Sequence, residues 1–199
     1  VLATGGMSYP GTGSTGDGYR LAERLGHMVV SPRAALVPIE ASEKWCAELM
    51  GLSLKNVTLT LKNAAGKAVF SEMGEMLFTH FGVSGPLVLS ASSYIKEDPG
   101  AYRIEIDLKP ALNMQQLDAR LLRDFAENRN RDFINALDRL LPRKLIPVAV
   151  RLSGVAPEKK VHSITQAERR AFAALLKALP VTPKAFAPIE QAVITSEVG

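Results

Sequence analysis

The sequence opens with a glycine-rich stretch, Val1-Leu2-Ala3-Thr4-Gly5-Gly6-Met7-Ser8-Tyr9-Pro10-Gly11-Thr12-Gly13-Ser14-Thr15-Gly16-Asp17-Gly18-Tyr19. Six of the chain's 15 glycines fall within these first 18 residues. Glycine permits positive φ angles and close approach of the backbone, so such a loop can wrap its amides around a phosphate or a flat ring. A long turn that merely connects a strand to a helix is an equally good interpretation, because neither a strict G-x-G-x-x-G nor a Walker pattern is present.

The glycine-rich stretch lies between a predicted strand end at residues 1–3 and a predicted helix. The helix has three apolar positions and a glycine as its C-terminal stop: Leu21, Ala22, Leu25 and Gly26. Ser14 or Thr15 is the predicted N-cap. Free amides at a helix start favour an anionic ligand. The Asp17 carboxylate would repel a phosphate, and it suits a ribose hydroxyl or a capping role better.

A second motif runs Gly74-Glu75-Met76-Leu77-Phe78-Thr79-His80-Phe81-Gly82-Val83-Ser84-Gly85-Pro86 and joins an apolar strand-like run to a helix start, with Ser84 as the predicted cap. Together, A-T-G-G-x-S-Y-P-x-T-G-S-T-G-D-G-Y and G-E-x-L-F-T-H-F-G-V-S-G-P resemble the BaiN/YhiN-like family of NAD(P)/FAD-dependent oxidoreductases. The closing run, residues 192–199, is similar to that family's A-x-V-T-x-G-G-V segment, with Ser196 and Glu197 departing from the usual glycines.

The resemblance implies a flavoprotein that transfers hydride between NAD(P)H or an organic small-molecule substrate and FAD. It places the FAD site on the first loop, at Thr4, Gly5, Gly6, Gly11, Gly13, Ser14, Thr15, Gly16 and Asp17. Members of the family also carry an N-terminal Rossmann G-x-G-x-x-G and a C-terminal FAD-contacting segment, and this sequence has neither. The chain therefore looks like the interior of a longer protein, whose remaining FAD-binding domain is its expected partner, and its own enzymatic activity is left open.

Composition and charge exclude several classes of protein. With 47% hydrophobic and 22% charged residues, the 199-residue sequence is typical of a globular protein. Its charge of +4 comes from 24 basic residues interspersed with 20 acidic ones, which argues against nucleic acid as a partner. The single cysteine, Cys46, excludes an internal disulfide and fits a reducing cytoplasm. Neither a membrane-span pattern nor a signal peptide is present, so the predicted location is cytoplasmic without membrane contact.

The sequence contains no pattern for catalysis by side chains alone. The three histidines His27, His80 and His162 lie far apart, so no metal site is predicted. Neither a Ser/His/Asp order nor a paired-carboxylate motif stands out, and the difficult chemistry is therefore assigned to a cofactor. His80 is the candidate catalytic residue because it lies in the second motif, although a lone histidine between aromatics is more often a hydrogen-bonded structural residue.

Periodicity predicts an α+β fold. Apolar residues alternate with polar ones at positions 57–62 and 102–108, which is typical of half-buried strands. From Asn113 the period becomes helical, with a capping box at Thr165–Glu168. We expect an antiparallel β-barrel or sandwich with an inserted helical subdomain, plus a remnant edge of an α/β FAD-binding domain. The corresponding divisions are residues 1–34 (FAD-domain edge), 35–113 (β-rich insert), 114–180 (helical) and 181–199 (return strand).

A cationic run in the helical part supports a second hypothesis. It comprises Arg139, Arg143, Lys144, Arg151, Lys159 and Lys160. A solvated helix face is the favoured interpretation, because leucine and phenylalanine positions already account for the buried side. The alternative is a basic patch for the NADPH phosphate or RNA, which would make the chain a non-catalytic interaction or nucleic-acid-binding module.

Overall fold

The computed structural model describes residues 1–96 and 98–196. The strands are β1 (Arg33–Ala35), β2 (Ile39–Ala41), β3 (Ser53–Lys62), β4 (Ala68–Phe78), β5 (Gly82–Ser84), β6 (Arg103–Asp107), β7 (Leu179–Val181), β8 (Pro183–Phe186) and β9 (Ile194–Ser196). The α-helices are α1 (Asp17–Arg24), α2 (Trp45–Glu48), α3 (Pro86–Ser92), α4 (Met114–Glu127), α5 (Ile146–Ser153) and α6 (Gln166–Lys177). Short 3-10 helices occupy Pro10–Thr12, Pro99–Ala101, Phe133–Ala136, Val161–Ser163 and Ile189–Gln191.

The predicted alternation along β3 and β6 is confirmed. In β3 the buried residues are Leu54, Val57, Leu59 and Leu61, and the last three alternate with half-exposed polar residues. In β6 Ile104 and Ile106 are fully buried, whereas the intervening polar side chains reach the surface. The two strands pair in antiparallel register, with Leu59 opposite Ile106. One face of this sheet therefore forms the core, as a period of two requires.

The main sheet is antiparallel and has the order β7-β6-β3-β4-β5-β2-β8. The strands do not close into a barrel through hydrogen bonds. The prediction of an α+β fold with antiparallel sheets is therefore confirmed, whereas the finer prediction of a barrel or sandwich is not. The two edge strands, β7 and β8, are separated in sequence by Thr182 alone. Residues 179–186 thus pair with β6 at one edge and with β2 at the other, which requires a strongly curled sheet.

The helical layer shares one apolar core with this sheet. Phe133 packs edge-on against Phe125 of α4 and Phe172 of α6, with ring centroids 6.1 and 5.1 Å away. The Leu108 amide donates to the Leu176 carbonyl at 2.9 Å, which joins the end of β6 to α6. The single core supports an α+β fold, and the four proposed divisions of the chain stay predictions.

The helices in this layer lie where the sequence pattern predicts them, with one exception. The capping boxes at Asn113 and Thr165 both form, as their spacing predicts. The helical period that begins at Asn113 does not produce an α-helix at residues 133–141, where only a 3-10 turn, Phe133–Ala136, forms. Pro147 occupies the first turn of α5, which begins at Ile146, and at this position a helix needs no amide hydrogen.

Glu168 makes the capping box of α6 sensitive to acid. Its carboxylate accepts from Lys159 Nζ at 2.6 and 2.8 Å and from the Thr165 amide at 2.7 Å. The hydrogen bond from Lys159, followed by those from Thr165, lowers the pKa of Glu168 from 4.5 to about 2. A carboxyl whose pKa is lowered by folding stabilises the native state above its unfolded pKa, and this contribution falls as the pH drops through its folded pKa.

We therefore expect wild type to exceed Glu168→Gln in free energy of unfolding by about 1 kcal/mol at pH 7. The difference should shrink between pH 4.5 and about 2, where the wild-type carboxyl becomes protonated. Urea unfolding at a series of pH values measures it. The exposed neighbour Glu158, which forms no ion pair with the described residues, supplies the matched control, Glu158→Gln. A difference that stays constant down to pH 2 would remove Glu168 from the acid response.

A second, two-stranded sheet joins the start and end of the described chain. β1 pairs with β9 in antiparallel register, with Ala34 opposite Thr195. The predicted strand end at residues 1–3 is wrong, because this segment is irregular in the structure. No helix in residues 1–96 or 98–196 has the length and apolar character that a membrane span requires.

Candidate functional site: the glycine loop

The glycine loop is anchored on β9 through one hydroxyl. Thr195 Oγ1 accepts from the Met7 amide at 2.8 Å and from the Ser8 amide at 3.0 Å. It also lies 2.8 Å from Ser8 Oγ, the hydroxyl of a buried serine. Residues at opposite ends of the described chain therefore meet at this point, and Thr195 fixes the path of the loop.

Three glycines of the loop are required by close packing. A Cβ atom at Gly6 would lie 2.5 Å from Thr195 Oγ1, and one at Gly5 would lie 2.7 Å from Ser14 Oγ. A Cβ at Gly18 would collide with the hydroxyl of Thr4. Around Gly11, by contrast, nothing comes within 4 Å. The loop thus folds tightly on itself and on β9, while its tip around residue 11 faces open space.

The start of α1 differs from the expectation. Gly16, and not Ser14 or Thr15, is the N-cap, and among the described residues no side chain caps the helix. Gly16 has φ 76°, a left-handed conformation that favours glycine. The Thr15 hydroxyl donates instead to Asp17 Oδ2 at 2.9 Å. The predicted stop is confirmed, because Gly26 follows the helix with φ +83°.

Asp17 is held by its own helix. Its carboxylate pairs with Arg20, three residues on, and both side chains are exposed. The hydrogen bond from Arg20, and then that from Thr15, lowers the pKa of Asp17. Asp17 is therefore ionised at neutral pH, and Arg20 already has a carboxylate partner.

Two adjoining cavities flank the loop. One of about 350 Å³ lies between Gly5, Gly6, Ser14 and residues 193–195. The other, of about 410 Å³, lies between residues 2–5, α1 and residues 28–30. Gly5 and Tyr19 line both. None of the described lining residues is charged, so the cavities offer backbone amides, hydroxyls and one phenol to a ligand.

This donor set matches the uncharged part of a dinucleotide cofactor. A flavin ring or a ribityl chain needs neutral donors and acceptors at close range, and glycine allows a backbone to approach. A pyrophosphate needs a cation or a helix start aimed at it, whereas Arg20 is engaged by Asp17. The residues present therefore fit the ring end of FAD and not its pyrophosphate.

The apolar surface beside these cavities lies open. None of the residues of α1 is buried. Leu21 is 43% exposed, Leu25 74% and Met28 95%. Three large apolar side chains this exposed within eight residues favour an interaction face.

His80 lies elsewhere, at the exposed turn between β4 and β5. Its ring contacts Phe81 edge-on, with centroids 4.9 Å apart. It lines a third cavity, of about 520 Å³, together with Glu43, Lys44 and Lys184. The structure does not bring His80 into the cavities of the glycine loop.

The glycines of the second motif serve the sheet. A Cβ at Gly82 would collide with the Ile39 carbonyl of β2, so this glycine permits the pairing of β2 with β5. Gly85, with φ +91°, is the N-cap of α3 in place of the expected Ser84.

Cys46 is inert, because it is buried and burial raises its pKa to about 12. No group of residues that could hold a metal ion occurs in the described part of the chain.

Sequence reasoning missed Thr195 as a site residue. The only signal was its place in the closing Ala-x-Val-Thr run, and the last three residues of that run, 197–199, lie outside the described structure. A threonine hydroxyl becomes an anchor only when a distant backbone is folded onto it, and that information is tertiary.

The chain is similar to known proteins over most of its length. Residues 33–194 match a family described as HI0933-like protein barrel and H2TH domain. A ribosomal RNA dihydrouridine synthase of Haemophilus influenzae is 33% identical over 169 residues, 83% of this chain and 39% of that protein. The Escherichia coli protein of the same name is 33% identical over 186 residues, 92% of this chain and 43% of that protein.

A third relative carries a different name. The 3-dehydro-bile acid delta(4,6)-reductase of Clostridium scindens is 28% identical over 161 residues, which make up 78% of this chain and 38% of that protein. The chain thus spans about two fifths of the length of these curated relatives.

Proposed function

The chain belongs to the HI0933-like barrel and H2TH family of FAD-dependent oxidoreductases, and on that premise we propose that it forms the substrate-side insert of a longer flavoenzyme. Residues 1–34 and the end of β9 supply one edge of the FAD-binding domain. The observation that carries the proposal is the glycine loop, which is anchored on Thr195 and flanked by two uncharged cavities.

The open apolar face of α1 supports this assignment. Leu25 and Met28 would not stay 74% and 95% exposed in a complete domain. The partner proposed for this face is the remainder of the FAD-binding domain, because the relatives are more than twice as long as the stretch they share with this chain. Because β1 pairs with β9, the two segments that would connect the insert to the FAD-binding domain lie side by side.

Within the intact protein, Gly5, Gly6, Ser14 and Tyr19 would hold the ring end of FAD. When bound, FAD supplies two-electron hydride chemistry, with NAD(P)H as the proposed hydride source. The tight packing of the loop on Thr195 keeps its amides in place before the cofactor arrives, which lowers the ordering cost of binding.

The names of the relatives point to one reaction class. A dihydrouridine synthase reduces the carbon–carbon double bond of a uracil ring, which is conjugated to a carbonyl. A 3-dehydro delta(4,6)-reductase reduces carbon–carbon double bonds in line with a ketone. In both reactions hydride adds to one carbon and a proton to its neighbour. We therefore propose that the longer flavoenzyme reduces a double bond conjugated to a carbonyl.

The substrate proposed is a uracil ring of ribosomal RNA, because the two relatives of that name are 33% identical to the chain and the bile acid reductase is 28% identical. His80 is proposed to position the RNA substrate and not to act on the reacting carbons, because its cavity is separate from those of the glycine loop. Its exposed imidazole lines a cavity of about 520 Å³, which has room for a nucleobase.

The test uses the full-length flavoprotein and ribosomal RNA from cells that lack its gene. We expect a visible flavin band and NAD(P)H-dependent conversion of a uridine to a nucleoside heavier by two hydrogen atoms, detected by mass spectrometry. His80→Gln should leave the rate of flavin reduction by NAD(P)H unchanged. It should weaken RNA binding about 5- to 10-fold, which corresponds to the loss of about one hydrogen bond.

Three results would contradict parts of this proposal. A full-length protein purified without flavin, and unable to take it up, would exclude the oxidoreductase. Reduction of a small conjugated enone without any change in RNA would exclude the RNA substrate. Equal RNA affinity of wild type and His80→Gln would remove His80 from the substrate site.

A further inference from the structure

Charge is unevenly distributed along the chain. Residues 114–177, which hold α4, α5 and α6, contain 13 basic and 7 acidic side chains, a net charge of +6. The rest of the chain has a net charge of −2, although the whole is only +4. A segregation of this kind is the electrostatic footprint of a polyanionic partner.

A surface cavity of about 540 Å³ lies within this basic part. Three cations, Arg131, Arg143 and Lys160, line it together with two carboxylates, those of Asp132 and Asp138. Asn130 and Asn135 also line it, as do the apolar residues Ile134, Ile146 and Pro147. Guanidinium and amide groups can contact both phosphate oxygens and base edges, and apolar side chains can pack on a base.

Two of these cations are held in place by carboxylates. Lys160 Nζ lies 2.7 Å from Asp132 Oδ1, and Arg131 Nη1 lies 3.6 Å from Asp138 Oδ2. Arg143 is exposed and forms no ion pair with any described residue. The cavity therefore combines two oriented cations with one whose charge is not neutralised by a neighbour.

The basic surface continues beyond the cavity. His162 Nδ1 lies 2.6 Å from the Arg129 carbonyl oxygen, so the backbone at residue 129 lies beside the segment that carries Lys160. Arg139 is 81% exposed on its side chain, and its nearest carboxylate, that of Glu127, is 3.9 Å away. A single small anion would need only the cavity, whereas further cations outside its lining fit a chain of phosphates.

We propose that this basic surface, defined as Arg129, Arg131, Arg139, Arg143 and Lys160, binds the phosphate backbone of the RNA substrate, with one nucleotide in the cavity. The choice of RNA rests on the proposed function. The surface would position the RNA, while the base to be reduced is presented at a different part of the protein. Such phosphate contacts carry little sequence information, so their loss weakens binding to all RNA sequences alike.

The experiment measures binding of a fluorescent ribosomal RNA fragment to the full-length protein at a series of salt concentrations. The test variant is Arg129→Gln/Arg143→Gln, because neither side chain has an ion-pair partner in the described structure to leave behind. The slope of log affinity against log salt should fall by about 2, one for each lost phosphate contact. Affinity at low salt should fall about tenfold or more.

The matched control is Lys67→Gln/Lys96→Gln, which removes the same charge from two exposed positions outside residues 114–177. It should keep the wild-type slope. Equal loss of affinity in both double variants would overturn the proposal, and so would tighter binding of DNA of the same sequence.

Flavin content and NAD(P)H oxidation, measured on the same preparations, separate this proposal from the proposed function. Unchanged flavin reduction with weakened RNA binding supports the basic surface. A protein without flavin whose RNA binding still depends on Arg129 and Arg143 would overturn the oxidoreductase and leave the RNA surface standing.

Discussion

Replacing Gly6 with alanine should weaken FAD binding by the full-length protein roughly 10- to 100-fold. The added Cβ would lie 2.5 Å from Thr195 Oγ1 and 2.7 Å from Thr195 Cβ, so β9 and the loop must separate. The Met7 and Ser8 amides then lose their acceptor. Two hydrogen bonds contribute about 1–3 kcal/mol together, which corresponds to the stated range of affinity. Fluorescence titration of the apoprotein with FAD measures it.

Gly11→Ala is the matched control. Gly11 belongs to the same loop, and neither it nor Gly6 has a positive φ, so backbone strain does not distinguish the two. Nothing lies within 4 Å of the position that a Cβ at Gly11 would take. The control should bind FAD as wild type does, and both variants should keep the wild-type unfolding of the main core. Equal affinity of Gly6→Ala and Gly11→Ala for FAD would remove the Thr195 junction from the cofactor site.

Ile106→Ala should lower the free energy of unfolding by roughly 2–5 kcal/mol, the range for deleting a large buried aliphatic side chain. Ile106 is fully buried in β6, opposite Leu59 on one side and Leu179 on the other. The structure around it is sheet on both sides and cannot collapse easily into the space. Urea unfolding followed by circular dichroism measures the change.

Glu105→Ala tests the other face of the same strand and should cost under about 1 kcal/mol. Glu105 Oε2 lies 2.6 Å from Lys62 Nζ, but the two side chains are 25% and 33% exposed, so water can replace the lost partner. Equal shifts in the unfolding midpoint for Ile106→Ala and Glu105→Ala would contradict the assignment of the strand's faces.

Local patterns in the sequence predicted β3, β6 and the capped ends of α4 and α6. In each of these the decisive contacts lie within a few residues, as in the capping box of Thr165 and Glu168. Local patterns did not predict the order of the strands in the sheet. β2, β5 and β7 have three residues each, too few to show a period, and their partners are decided by contacts across the whole chain.

The glycine loop could be found from sequence, but its anchor could not. Met7 and Thr195 are 188 residues apart, and no local pattern links a hydroxyl to an amide at that distance. The prediction of Ser14 or Thr15 as the N-cap of α1 was wrong for a related reason. The left-handed backbone at Gly16 turns Thr15 towards Asp17, and a side chain can cap a helix only if the backbone aims it there.

The continuity of β7 and β8 has a consequence for synthesis of the protein. As the chain leaves the ribosome, β2 and β6 each have one unpaired edge until residues 179–186 emerge. Open strand edges are templates for pairing with other chains. A product truncated before Leu179 should therefore aggregate, whereas one that includes Phe186 covers both edges with a single segment.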